Sequence, residues 1–257
     1  MRRIRLILAY DGTNYVGWQT QPNGVSVQET VEKALSEVTK APVVLHGSGR
    51  TDSGVHAAAQ VAHFDTEARM AADKFAIAAN MHLPPDIRVL WSEECSPDFH
   101  ARFSAKKKQY RYTVRVGMHA DVFSRLTALQ LHHVPDLAAM QRAAMDAIGT
   151  HDFRAFMSTG TRMENTVRTI EQSEWTQNGP FLVYTVTGNG FLYNMVRILV
   201  GTMLEIGFGL RAEDSIRVAL ETQNRSDAGP TAPAHGLLLA RVCYPDFDTE
   251  EVLRRDG

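Results

Sequence analysis

The residues best suited to chemistry lie in GSGRTDSGVHA, residues 47–57, where Gly47, Gly49 and Gly54 bracket Arg50, Thr51 and Asp52. Glycine at this density between apolar stretches predicts a tight turn, so the acid is presented on a loop and not in a helix. An arginine two residues from a carboxylate favours its ionised form and fixes its orientation. A carboxylate held in that way can act as nucleophile or general base. Asp beside Gly equally bonds its own backbone in an Asx-turn, and the segment alone does not choose between the two. A calcium loop would carry further acids at alternate positions, and they are missing.

A second group of residues points to a polyanion. Between Phe99 and Ala120 stand Arg102, Lys106, Lys107, Lys108, Arg111 and Arg115, with no acidic residue. Phe99, Phe103, Tyr110 and Tyr112 lie among them, a mixture suited to holding phosphates while bases stack. A solvated strand edge guarded by lysines would look the same. The excess is local, because the net charge of the chain is −2. Arg168 and Arg197 are further candidates for substrate contact, Arg197 because a charge inside an apolar helix must reach a partner or a cleft.

Other chemistries are disfavoured. Cys95 and Cys243 form no C-x-x-C pair and give no disulfide framework or zinc site, so a reducing cytoplasm is the expected location. The ten histidines, His56, His63, His100, His119, His132 and His133 among them, lack the i, i+4 spacing with an acid that zincins use, and no metal or cofactor is expected. The most apolar segment, 191–210, is interrupted by Asn194, Arg197 and Glu205, short of the roughly 20 apolar residues of a membrane span. The N-terminal MRRIRLILAYDG alternates like a strand and carries no cleavage signal.

These groups must be positioned by a chain of 257 residues, 44% hydrophobic and 22% charged, enough to bury about three quarters of its unfolded surface. Ile4, Leu6, Leu8 and Tyr10 share one face of a strand. Ser26 and Glu29 form a capping box ahead of Val27, Val31, Ala34, Leu35 and Val38, which keep helical spacing to the break at Pro42. A strand near 43–46, an apolar stretch through Gln60 to Phe64, a helix near 71–81 and a strand in DIRVLWSEE follow. In the second half QYRYTVRV alternates, 136–148 is helical with Leu137, Met140, Ala144 and Ile148 inward, and 166–175 and 181–187 read as strands. FLYNMVRILVGTMLEIG is apolar around most of its circumference and predicts a helix buried on a sheet. A helix near 213–222 and a buried strand in HGLLLARVCY close the chain. The pattern predicts an α+β protein of two similar lobes, residues 1–105 and 106–257, with helices on antiparallel sheets.

Seven segments occur in the order found in one family: YDGTNYVGWQTQ (10–21), GRTDSGVHAAAQVAHF (49–64), LPPDIRV (83–89), FHARFSAKKKQYRY (99–112), HDFRAF (151–156), FLYNMVRILVGTMLEIG (191–207) and TAPAHGLLLARVCY (231–244). The chain resembles the tRNA pseudouridine synthase I family, the TruA type, over nearly its whole length. The resemblance implies a homodimer with a positively charged cleft between related lobes, acting on the anticodon arm of tRNA at positions 38 to 40. It also implies that the catalytic aspartate falls on Asp52, its partner arginine on Arg50, the tyrosine of the basic run on Tyr110, and the apolar residue packed against the target base on Leu237. Ser48 stands where alanine is common, and Ser53 fills the variable place after the aspartate.

The residues suit that reaction. Breaking a glycosidic bond and rejoining ribose to carbon 5 of the same ring needs a carboxylate beside the anomeric carbon, and no second acid, because no water is activated. A flipped-out base needs a flat partner, which Tyr110 can supply; a phenol pKa of about 10 makes it a poor base for carbon 5. Tyr110 also fits as an inward strand residue beside Tyr112, Val114 and Val116. Lys106, Lys107, Lys108 and Arg111 are the expected phosphate contacts. Two other classes compete. A non-catalytic RNA-binding protein or chaperone would leave Asp52 idle, and an aspartate-dependent phosphotransferase would need further acids for magnesium.

Overall fold

The computed structural model describes residues 1–160 and 163–255. Its elements are, in chain order, β1 (Arg2–Tyr10), α1 (Val27–Thr39), β2 (His46–Gly47), β3 (His56–Thr66), α2 (Lys74–Asn80), β4 (Ile87–Cys95), β5 (Lys107–Val116), β6 (Leu129–Leu131), α3 (Leu137–Met145), β7 (Gly149–Asp152), β8 (Val167–Asn178), β9 (Phe181–Gly188), α4 (Met195–Gly207), α5 (Ser215–Thr222), β10 (Leu237–Cys243) and α6 (Thr249–Arg255). The chain divides into two compact units, Met1–Lys108 with Leu238–Gly257, and Gln109–Leu237. A contiguous cut after residue 105 differs from this at the C-terminus: Leu238 and Leu239 of β10 pair in parallel with His56 and Ala57 of β3, which takes the last segment back to the first unit.

In the first unit the strands lie in the order β4-β1-β3-β10. β1 is antiparallel to both neighbours, with Leu6 opposite Ala62 on one side and Ser92 on the other. β2 pairs with β3 through His46↔His63 and Gly47↔Ala62, so the 48–55 loop links two strands of one sheet. Ser26 caps α1, its Oγ accepting from Glu29 N at 3.1 Å. The capping box is half made, because the Glu29 carboxylate takes Lys33 Nζ at 2.6 Å. Residues 43–45 are outside any strand, since only His46 and Gly47 find partners.

β1 buries more than one face. Ile4, Leu6 and Leu8 are buried, and so are Arg5 and Ile7 between them. The second face is covered by aromatic rings that enclose the Arg5 guanidinium, at 4.1 Å from the Phe247 centroid, 5.3 Å from Phe99 and 6.0 Å from Trp91. Arg5 also pairs with Glu93, and with Asp246 at 3.3 Å. One charge therefore ties β1 to β4 and to the C-terminal segment.

In the second unit the order is β5-β9-β8-β7, with β6 parallel to β5 through Val114↔Leu129. β8 is antiparallel to β9 and to β7. Helix α4 is buried on nearly every side, as its composition predicts, but it begins at Met195. Asn194 adopts a left-handed conformation with φ 61° and holds Phe191–Asn194 out of the helix. Gly201 is required there: a Cβ would stand 1.8 Å from Pro230 O. Met140 and Ala144 of α3 face inward, whereas Ile148 is 43% exposed. The helix has ended at Met145 before it, and Gly149 follows with φ +116°. The short strands β6 and β7 and the polar helix α6 carry too little periodicity to be anticipated. No helix among the described residues is long and apolar enough to cross a membrane.

The enclosure of Arg5 sets an expectation. Arg5→Ala removes ring packing and leaves two carboxylates unpaired, and is expected to lower unfolding free energy by about 1–3 kcal/mol in urea titrations. Arg2→Ala, which loses a pair with the exposed Glu94, is expected to cost less than about 1 kcal/mol. Equal costs would refute the role given to the rings.

Candidate active site

Gly47, at the end of β2, lies so close to Trp18 that a Cβ would fall 2.5 Å from the indole. The loop that follows is held from below by buried polar side chains. Gln60 of β3 is fully buried. Its Oε1 accepts from Ser48 Oγ at 2.6 Å, and its Nε2 donates to Gly49 O at 2.9 Å and to Tyr10 Oη at 3.5 Å. The Tyr10 hydroxyl lies 2.8 Å from Thr51 Oγ1. Burial keeps the Tyr10 phenol well above its ordinary pKa and therefore protonated.

Main-chain contacts finish the loop. Trp18 N donates to Thr51 O at 3.0 Å, and Ser53 Oγ to Tyr15 O at 3.1 Å. Val55 N donates to Asp52 O at 3.1 Å, closing a turn that needs Gly54 at φ +76°. Gly17, at φ +111°, lets its strap touch the loop: a Cβ there would lie 2.7 Å from Thr51 O and 3.2 Å from Asp52 C. Asp52 is thus half-buried on a loop fixed on both sides, with Arg50 exposed two residues before it.

Lys108 departs from its expected place. Its ammonium does not stand in solvent as a phosphate contact but donates to Ser48 O at 2.6 Å. A Cβ on Gly49 would approach Lys108 Nζ to 2.8 Å. Burial, with a smaller effect of the Arg102 charge, lowers the Lys108 pKa to about 8. Lys106 and Lys107 are exposed.

The remaining residues belong to the second unit. Tyr110 is buried and meets Phe191 edge-on, with ring centroids 5.1 Å apart. Tyr112, two residues along the same strand face, donates to Pro233 O at 2.8 Å. Its ring lies under Gly236, where a Cβ would come within 2.6 Å, and so shapes the 231–237 segment that ends on buried Leu237. Arg197 donates through Nε to Ala232 O at 2.7 Å and through Nη1 to Asn194 Oδ1 at 2.6 Å, joining the start of α4 to the same segment. Arg168 donates to Val167 O at 2.6 Å and Asn165 O at 3.1 Å. Arg111 is exposed on β5.

Sequence reasoning missed the bracing roles of Gln60 and Tyr10, and placed Tyr112 among the stacking aromatics without the role its hydroxyl has here. Gln60 carried a usable signal, a lone amide inside the apolar run AAAQVAHF, because a buried amide needs partners. Tyr112 shares a strand face with Tyr110, but only the three-dimensional path of 231–237 shows what its hydroxyl meets.

The sequence profile of the family described as tRNA pseudouridine synthase matches residues 6–104 and 143–245. The chain is 47% identical over 242 residues to tRNA pseudouridine synthase A of Halalkalibacterium halodurans, covering 94% of this chain and 92% of that protein. It is 45% identical over 244 residues to the protein of that name from Acetivibrio thermocellus, covering 95% and 100%. With that from Anoxybacillus flavithermus it shares 48% identity over 247 residues, covering 95% and 99%. The chain belongs to the tRNA pseudouridine synthase family.

The buried ammonium gives the loop a pH signature. Below about pH 8 Lys108 is charged in both folded and unfolded chains. Between about 8 and its ordinary value of 10.5 only the unfolded chain keeps the proton, so stability rises with pH across that window. The stability of wild type relative to Lys108→Met is therefore expected to increase between pH 7.5 and 9.5 in urea titrations; a flat difference would place the ammonium in solvent.

Proposed function

We propose that the protein isomerises uridine to pseudouridine in the anticodon arm of tRNA, at positions 38 to 40, with Asp52 as nucleophile and without a cofactor. The observation that carries this reading is the rigid presentation of one carboxylate, on a loop fixed by Gln60, Tyr10, Lys108 and Gly17, in a chain of this family. The reaction breaks the bond between the anomeric carbon and N1, turns the uracil, and joins the anomeric carbon to C5. The C5 proton leaves and N1 gains one, so the product is an isomer.

A carboxylate at the anomeric carbon either attacks it or stabilises its positive charge. Fixed main-chain and side-chain contacts mean that Asp52 need not be ordered during the reaction. Arg50 orients and charges Asp52 in this assignment. The target uridine leaves its stack and packs against Tyr110 and Leu237. Lys106, Lys107 and Arg111 take phosphates, while Arg168 and Arg197 belong to the RNA-facing side of the second unit. Lys108 instead acts under the loop. The free thiols of Cys95 and Cys243 agree with action in the cytoplasm, and a homodimer completes the proposal.

Carbodiimide mapping of unmodified tRNA, incubated with protein and no added metal or cofactor, tests the chemistry. Wild type is expected to place pseudouridine in the anticodon arm, and Asp52→Asn to lose on the order of 10⁴-fold or more in rate. tRNA binding by both proteins with modification by neither would make a non-catalytic RNA-binding protein the better account.

The phosphate assignment has its own readout. Lys106→Ala and Lys107→Ala are each expected to reduce the slope of log affinity against log salt by about 0.7–0.9, while Lys108→Ala leaves that slope unchanged. The opposite pattern in anisotropy titrations would return Lys108 to the RNA surface.

A further inference from the structure

Of the four aromatic residues between Phe99 and Tyr112, three are buried, and Phe103 is 75% exposed. Its position is not loose. His100 Nδ1 accepts from Arg102 N at 3.1 Å and Phe103 N at 3.4 Å, Ser104 N donates to His100 O at 2.9 Å, and His100 N donates to Ser104 Oγ at 3.0 Å. Residues 100–104 thus close on themselves and fix Phe103 before any partner arrives. The His100 ring lies beside Phe103, centroids 4.4 Å apart, and the Arg102 guanidinium is 5.7 Å from the Phe103 centroid.

Behind His100 the stack continues into the unit. Its ring is 4.8 Å from His63 and 5.6 Å from His46, and the latter two are stacked at 5.1 Å. His63 Nδ1 accepts from Ala101 N at 3.1 Å, an acceptor role that requires an uncharged ring. Burial, aided by Arg3, lowers the His63 pKa to about 4, and burial also lowers that of His100, so His63 and His100 pack at neutral pH without repelling each other. The cluster is not a metal site: no group of three or more His, Cys, Asp or Glu side chains among the described residues can hold an ion. Asp65, the nearby acid, is engaged by Arg3 at 2.8 Å through both oxygens.

We propose that Phe103, with Arg102 beside it, is a second base-stacking platform: a nucleotide of the RNA other than the reacting uridine lays its base on the Phe103 ring and its phosphate against Arg102. The inference rests on the reading of the chain as an enzyme acting on RNA. Two features favour a nucleotide over an apolar protein partner. The exposed ring has the polar His100 imidazole and the Arg102 guanidinium beside it, neighbours that suit a base and its phosphate. The stretch that follows, to Ala120, adds cations and no acid, which complements a phosphate backbone and repels a basic surface. A preformed aromatic platform stacks any base, because every base has a π-face.

The test uses the full chain with Phe103→Ala, Phe103→Leu and Phe103→Trp. Affinity for unmodified tRNA is measured by anisotropy in an Asp52→Asn background, and steady-state kinetics with Asp52 intact. Phe103→Ala is expected to weaken binding about 5- to 100-fold and to raise KM, with kcat at saturating tRNA within about twofold of wild type. Phe103→Trp is expected to restore affinity and Phe103→Leu to leave it weak. Unchanged affinity in Phe103→Ala, or restoration by Leu as complete as by Trp, overturns the proposal. So does a change in oligomeric state by light scattering, which would make a second copy of the chain the occupant. Failure of wild type itself to bind tRNA would be the failure of the functional reading and not of this site alone.

Discussion

Gln60 stands in the middle of β3 with no solvent contact, and its amide must find partners there or destabilise the strand. An unsatisfied buried amide costs about 1–3 kcal/mol. Its partners are Ser48, Gly49 and Tyr10, and in meeting them it ties the path of the 48–55 loop to the sheet. Tyr10 passes the constraint to Thr51, one residue from Asp52. The geometry of the loop that carries Asp52 is therefore fixed by hydrogen bonds that a strand must make in order to fold. Stability and positioning share one set of contacts, and such contacts strengthen each other in a low-dielectric interior.

The loop also depends on places where side chains are missing. Gly17 brings the 11–18 strap against the backbone of Thr51 and Asp52, and Gly49 leaves room for the Lys108 ammonium. The latter is an unusual use of a lysine. A cation on the carbonyl of Ser48 costs desolvation energy, which shows in its lowered pKa, and places positive charge under the 48–55 loop.

Much of this was legible in the sequence, and what was not has identifiable causes. Period-two alternation marked β1, β5, β8 and β9, and the Ser26 cap marked α1, because those signals are local. The density of glycine around Asp52 marked the loop for the same reason. The fate of Lys108 was hidden: Lys106, Lys107 and Lys108 are the same residue type in sequence, but Lys106 precedes β5, and pleating turns Lys108 to the face opposite Lys107. Phe99 and Tyr112 lie in the same cation-rich stretch as Phe103, and only the structure shows that they are buried. The return of β10 to the first unit is a long-range pairing that no local pattern encodes, and Ile148 misled because an apolar residue continues a helical period past the point where the helix has ended.

The two units use the same device on different segments. In the first, buried Gln60 and Tyr10 shape 48–55. In the second, Tyr112 donates to Pro233 and fills the space that Gly236 leaves, while Arg197 donates to Ala232, so 231–237 is shaped from beneath up to buried Leu237. In both cases a strand or helix side chain satisfies the backbone of an irregular segment that could not otherwise be buried. A reaction in which a base is released, turned and rejoined tolerates little movement in the groups around it, because each loose torsion adds a path by which the freed base or its sugar meets water. Irregular segments braced by the sheet combine the reach of a loop with the order of a strand. That combination explains why the polar residues that matter most here, Gln60, Tyr10, Tyr112 and Lys108, sit under the segments they support and not at their tips.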